Sequence, residues 1–385
     1  MVERIANVNW QRIQWCCAER RITTEELAAA VGIGHALVER LEAGEDALTY
    51  HQLHRIASYF GRGVLFFLEQ GPVNPERVFT NGFRTLAHQK ADIDGAVKRI
   101  IERAEWQREA YLALRADVGD DTVEDFDPPP LEGVAVEEAA REVRRWLELD
   151  GVSTFEGYRR AIERKGILVF RTNGYQGKWQ VPKSSPVLGF AIYHQSFPLI
   201  VVRKARFESR QTFTLFHELA HILLHKESVI DDETDLAGHE GLGRERDANR
   251  FAALVLVPDA LAAQITMHDR PADPSGLDDW LRPWRNATGA SSEVLLLRLL
   301  ATRRISREVY DGFKAWQERQ QLDADDGGTR QYRYREPKHI LGDGYVRTVL
   351  TALGQRRISL TRASRFLDGL KVTDLHKLES YCAGH

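Results

Sequence analysis

Phe213-Thr214-Leu215-Phe216-His217-Glu218-Leu219-Ala220-His221-Ile222-Leu223-Leu224-His225 reads as part of one long helix, from about Arg206 to Lys226. Phe213, Phe216, Ile222, Leu223 and Leu224 make it deeply apolar, so it belongs inside a domain. His217 and His221 lie four residues apart, which puts both imidazoles on one face within reach of a single metal ion. Glu218 projects beside that point and can take a proton from water held there. Zinc suits this arrangement, because it acidifies water and polarises a carbonyl while a carboxylate acts as general base. In 385 residues with 13 histidines, an HExxH run arises by chance roughly a few times in a hundred. The apolar setting argues against two unrelated histidines, since buried imidazoles need partners.

Two histidines leave a catalytic zinc one protein ligand short. A second helix runs from about Arg244 to Val257 and is closed by Pro258. Glu245, Ala248, Asn249 and Ala252 share one face of it. The alanines allow close approach to the first helix, which makes Glu245 the third metal ligand. Asp247 lies on the face of Phe251 and Leu254 and is the weaker choice. Asp247, Asn249 and His225 read as residues that touch ligands rather than metal, and His239 as a loop histidine.

Outward from these helices the pattern is α+β. Val136–Leu147 and Thr154–Lys165 read as amphipathic helices. Gly166–Arg171, Val187–Tyr193 and Leu199–Val202 read as strands of a small sheet, the last two joined by a turn at His194–Pro198. The Pro198–Val202 strand is either a core strand or an edge to which a substrate adds as an extra strand. Arg203 and Lys204, which follow it, either hold the polar end of a peptide or are simply solvated.

Residues 1–70 read as an all-α module. Thr23-Thr24-Glu25-Glu26 is an N-cap followed by acids, and it opens an Ala-rich helix to Val31. Gly32 breaks that helix, and a second runs from His35 to Leu41, which is the helix-turn-helix pattern. Tyr50–Phe60 is a further helix. Residues 71–135 form a helical connector, with one long helix at Ile93–Leu114 and an acidic stretch ending in Pro128-Pro129-Pro130. The domain carrying His217 spans 136–310, residues 311–340 read as a second linker, and 341–385 as a helical C-terminal segment.

Composition narrows the class. Apolar residues are 43% and charged residues 28%, which excludes wholesale disorder. No apolar run approaches the roughly 18 residues of a membrane span. The N-terminus has no apolar signal core, so secretion is not expected. A net charge of −3 is not that of a basic polyanion binder. Three cysteines, two of them adjacent (Cys16, Cys17), make neither a disulfide framework nor a structural zinc site, which fits a reducing cytoplasm.

The run Phe213–His225, followed by Glu245-Arg246-Asp247-Ala248-Asn249-Arg250-Phe251-Ala252-Ala253 and Pro258, resembles the ImmA/IrrE family of zinc metallopeptidases over about residues 136–300. The leading module resembles XRE-type helix-turn-helix domains, a pairing that recurs in that family. The resemblance implies a zincin-like domain with Zn2+ as cofactor. It implies cleavage of a partner DNA-binding repressor, which relieves repression in stress responses, prophage induction or toxin–antitoxin-like loci. Asp247 departs from the Glu more usual in the family.

Residues 1–70 carry seven Arg, no Lys and nine Asp/Glu, a net of −2. DNA affinity rests mainly on phosphate neutralisation, so this balance does not favour it. Thr24, His35 and Arg40 are the residues through which the module would touch DNA, although XRE-like domains usually carry Gln at the position of Thr24. A role in dimerisation or in docking a repressor fits equally, and Val64-Leu65-Phe66-Phe67-Leu68 suits an apolar interface or packing under the long helix. An alternative function is a DNA-binding regulator whose peptidase-like domain acts mainly as a sensor.

Overall fold

The computed structural model describes residues 4–20, 22–60, 62–73, 94–119, 123–174, 177–232, 243–320 and 332–383. His239 and residues 321–331 of the second expected linker lie outside them, as does most of the 71–93 connector. The described residues up to Glu102 form one compact unit, and those from Arg103 a second.

The first unit is all helical. It holds α1 (Trp10–Arg20), α2 (Thr24–Val31), α3 (His35–Glu42), α4 (Tyr50–Phe60), a 3-10 turn at Val64–Phe67 and the first turns of α5 (Gly95–Val118). A capping box starts α2: Thr23 Oγ1 accepts from the Glu26 amide at 3.2 Å, and Glu26 Oε2 accepts from the Thr23 amide at 2.9 Å. Gly32, at φ 62°, ends it in the left-handed conformation and turns the chain towards α3. Leu27, Val31, Val38, Leu41, Leu53, Ile56 and Phe60 build the core between these helices. Phe67 joins that core, whereas Leu65 is exposed, so the Val64–Leu68 run is divided between the module's interior and its surface.

The second unit packs helices on a small sheet. Before the sheet come α6 (Val136–Trp146) and α7 (Phe155–Arg164). The strands are β1 (Leu168–Arg171), β2 (Val187–Ile192), β3 (Leu199–Val202) and β4 (Val229–Asp232), in spatial order β1-β3-β2-β4. β1 runs parallel to β3, while β2 is antiparallel to both β3 and β4. Three strands were expected, and the fourth is too short and acidic (Val229-Ile230-Asp231-Asp232) to carry a strand signal of its own. The strand order also decides between the two readings of the Pro198–Val202 strand. β3 lies between β1 and β2 and is buried along its whole length, so it is a core strand, and the sheet's edges are β1 and β4.

Helix α8 (Glu208–Ala220) crosses the sheet and ends in a π-helical turn at His221–His225. The expected single helix to Lys226 therefore widens within its second half, and Lys226, at φ 52°, terminates it. α9 (Arg244–Leu256) packs against α8 with Ala248 and Ala252 fully buried in the seam. α10 (Asp259–Gln264), α11 (Leu277–Trp280), α12 (Arg282–Thr288) and α13 (Ser292–Ala301) follow, then α14 (Arg307–Gln320). The last of these continues through the first ten residues of the stretch expected as a linker.

Helices α15 (Glu336–Leu341), α16 (Asp343–Gly354), α17 (Leu360–Phe366) and α18 (Val372–Ala383) complete the second unit. A buried arginine ties them to the sheet. Arg159 on α7 donates to the His339 and Ile340 carbonyls, both at 2.9 Å, to the Val169 carbonyl on β1, and to Glu163 Oε1 at 3.0 Å. The acidic, proline-bearing stretch also lies on this unit. The Glu124 amide donates to the Arg164 carbonyl, and Leu131 is buried in the core.

Candidate metal centre

The i,i+4 spacing on α8 brings the Nε2 atoms of His217 and His221 to 3.2 Å from each other. Both rings are buried. Each is turned by a partner on its other nitrogen. His217 Nδ1 lies 2.9 Å from Asn249 Oδ1, a pairing in which the ring donates and which turns Nε2 towards the centre. His221 Nδ1 lies 3.1 Å from His225 Nδ1. Burial first, and then His221 and Arg244, push His225 down to about 4, which favours its neutral ring.

Carboxylates close on the same point from two directions. Glu245, in the first turn of α9, places Oε2 3.3 Å from His217 Nε2 and 3.6 Å from His221 Nε2. Asp231, on β4, places Oδ2 3.1 Å and 3.7 Å from the same atoms. Neither oxygen makes a hydrogen bond of good geometry. The four donor atoms all lie within 4.8 Å of one another. Burial works against a charged His217, but Asp231 and Glu245 outweigh it and hold the ring up to about 9. Burial likewise raises Glu245, and the two imidazoles more than offset it, drawing the carboxyl well below the usual range. Two imidazoles and two carboxylates with inward, poorly hydrogen-bonded oxygens fit a divalent ion such as zinc.

Glu218 is fully buried beside the histidines and faces Gly189 on β2. A Cβ at Gly189 would collide with Glu218 Oε1 and come within 2.8 Å of Thr214 Cγ2, so only glycine lets β2 pass this close to α8. Gly189 is also the cross-strand partner of Asp231, and the β2–β4 register is irregular between Val187 and Gly189. Cross-strand partners share a face. Asp231 therefore points where a Gly189 side chain would, onto the HExxH helix.

The structure thus gathers His217, His221 and Glu245, with Asn249 and His225 behind the two rings. Asp247 is absent from the converging donor set. Asp231 has no counterpart in the sequence reading. Its only sequence signal is the adjacent pair Asp231-Asp232 between the two metal-site helices, which becomes informative once the pairing of β4 with β2 is known.

Arg203 is a structural residue. It donates to the Pro182 and Val187 carbonyls at 3.1 Å and to Ser185, tying down the loop before β2. The Lys204 amide donates to Thr172 Oγ1 at 2.9 Å.

In the first unit the polar residues of the helix-turn-helix stand beside acids. Thr24 Oγ1 is 3.4 Å from Glu25 Oε2, His35 Nδ1 is 3.5 Å from Glu39 Oε1, and Arg40 Nε is 2.7 Å from Glu45 Oε2. His35 and Arg40 are exposed, and exposed pairs of this kind are worth about 1 kcal/mol or less. No helix among the described residues is long and apolar enough to cross a membrane.

Comparison with known proteins agrees with both halves of this picture. No curated protein and no solved structure matches the chain. Residues 162–300 match the family model of the IrrE N-terminal-like domain (peptidase M78), and residues 12–62 match that of the Cro/C1-type helix-turn-helix DNA-binding domain. The chain thus joins a Cro/C1-type helix-turn-helix domain to an IrrE N-terminal-like domain, which is the architecture of the ImmA/IrrE family with an N-terminal XRE-type module.

Proposed function

We propose that the chain is a zinc-dependent endopeptidase of the cytoplasm that cleaves a partner helix-turn-helix repressor and so relieves transcriptional repression in a stress, prophage or toxin–antitoxin-like system. The observation that carries this reading is the convergence of His217 Nε2, His221 Nε2 and Glu245 Oε2 on one point beside the buried Glu218. These three side chains would hold the ion. Zinc, when bound, supplies a Lewis acid for the scissile carbonyl and acidifies water. Glu218 holds the proton: its carboxylate takes it from the attacking water and returns it to the leaving amine nitrogen. Asn249 and His225 fix the rings so that both Nε2 atoms face inward.

The helix-turn-helix domain would bring this chemistry to its target, either on DNA or by docking or pairing with the repressor's own domain. A second reading, a DNA-binding regulator that uses the peptidase-like domain as a sensor, is favoured by one feature: Asp231 adds a fourth donor to the centre. One experiment separates the two. The zinc-loaded full chain is incubated with purified helix-turn-helix repressors, beginning with those encoded nearest to it. The first reading predicts two discrete fragments with the wild type and none with Glu218→Gln, which still holds zinc. Cleavage at the wild-type rate by Glu218→Gln removes the general base from the account.

A further inference from the structure

A tetrahedral zinc site with ligand bonds of about 2.0–2.1 Å has donor–donor edges of about 3.3 Å. Five edges among His217 Nε2, His221 Nε2, Glu245 Oε2 and Asp231 Oδ2 measure 3.2, 3.3, 3.6, 3.1 and 3.7 Å. Five of the six edges are thus close to the size of a tetrahedral zinc site, and the sixth, between the two carboxylate oxygens, lies within 4.8 Å. Catalytic zinc sites keep three protein ligands and leave a corner for water and substrate, whereas four-ligand sites are closed.

We infer that Asp231 is a fourth zinc ligand, and that it holds the metallopeptidase centre in a latent, closed state. The inference rests on the zinc-peptidase reading above and adds a regulatory residue to it. Asp231 is well placed for the part. It is 2% exposed, so its charge needs a partner inside the protein. It sits on β4, an edge strand paired only with β2 among the described strands. The irregular β2–β4 register lies directly opposite it, and such bulges commonly re-aim a side chain beside an active site. A carboxylate at the fourth corner competes with the water that Glu218 would deprotonate, so it slows cleavage by the wild type without abolishing it. Opening the centre then needs only the withdrawal of Asp231, while His217, His221 and Glu245 keep the ion.

The test uses the full chain loaded with zinc, and separately with Co2+ as a spectroscopic probe, in the wild type, Asp231→Ala and the near-isosteric Asp231→Asn. Circular dichroism selects the folded variants. Zinc affinity is read by chelator competition, and the open coordination position by titrating acetohydroxamate against the Co2+ visible spectrum. The expected result is a wild-type spectrum indifferent to acetohydroxamate. The variants should bind zinc about 10–100-fold more weakly, show a spectrum that acetohydroxamate shifts, and cleave repressor faster than the wild type. Unchanged affinity and spectrum in folded Asp231→Asn overturn the inference and leave the peptidase reading standing. So does a variant that loses zinc altogether, because Asp231 would then be an indispensable ligand rather than an added one. A wild-type chain that takes up neither metal overturns the peptidase reading itself.

Discussion

The two units treat their polar residues in opposite ways. In the helix-turn-helix unit the residues expected to touch DNA lie at the surface or partly exposed, each beside an acid of the same module. In the second unit His217, Glu218, His221, Asp231 and Asn249 are all buried. Surface pairs exchange cheaply with water or a phosphate. Buried polar groups are tolerated only when satisfied together. The centre is therefore a cooperative object, in which removing one member leaves the others stranded, whereas the helix-turn-helix surface is a sum of small, separable terms. Loss of a metal ligand in the second unit should act on metal and catalysis together, and a substitution in the first unit should act locally.

Two predictions sharpen that contrast. The larger concerns α9. Glu245→Ala should lower zinc affinity by more than about 100-fold, since loss of residues behind the ligands alone costs 10–100-fold in such sites. Asp247→Ala should change it little, because Asp247 is absent from the converging donors. Competition with a chromogenic chelator reads both, and a greater loss in the Asp247 variant would reverse the assignment. The smaller effect lies in the first unit. Thr23→Ala breaks the capping box on α2 and should cost about 1 kcal/mol of local stability. Faster amide exchange confined to α2, with zinc content unchanged, is the expected outcome. A fall in zinc content would show that the two units are not independent in this respect.

Local pattern made much of this legible, and non-local pairing hid the rest. The HExxH spacing is a property of one helix, so His217 and His221 are read from five residues. The face shared by Glu245, Ala248, Asn249 and Ala252 is likewise local, and the burial of Ala248 and Ala252 against α8 follows from it. Asp231 depends on β4 pairing with β2 in an irregular register, which no four-residue run announces. The inner position of β3 has the same cause. The β2–β3 hairpin is visible in the sequence, but the parallel addition of β1 to its far side is not. The π-helical turn at His221–His225 was hidden because an apolar helical run does not specify a widened turn.

Everything proposed for the second unit rests on zinc binding by His217 and His221 in the folded chain. Elemental analysis of the full chain, purified without added chelator, tests it most directly. About one zinc per chain is expected in the wild type and none in the folded His217→Ala/His221→Ala double variant. Full zinc occupancy in that variant, or a wild-type chain that neither carries zinc nor takes it up, would contradict it.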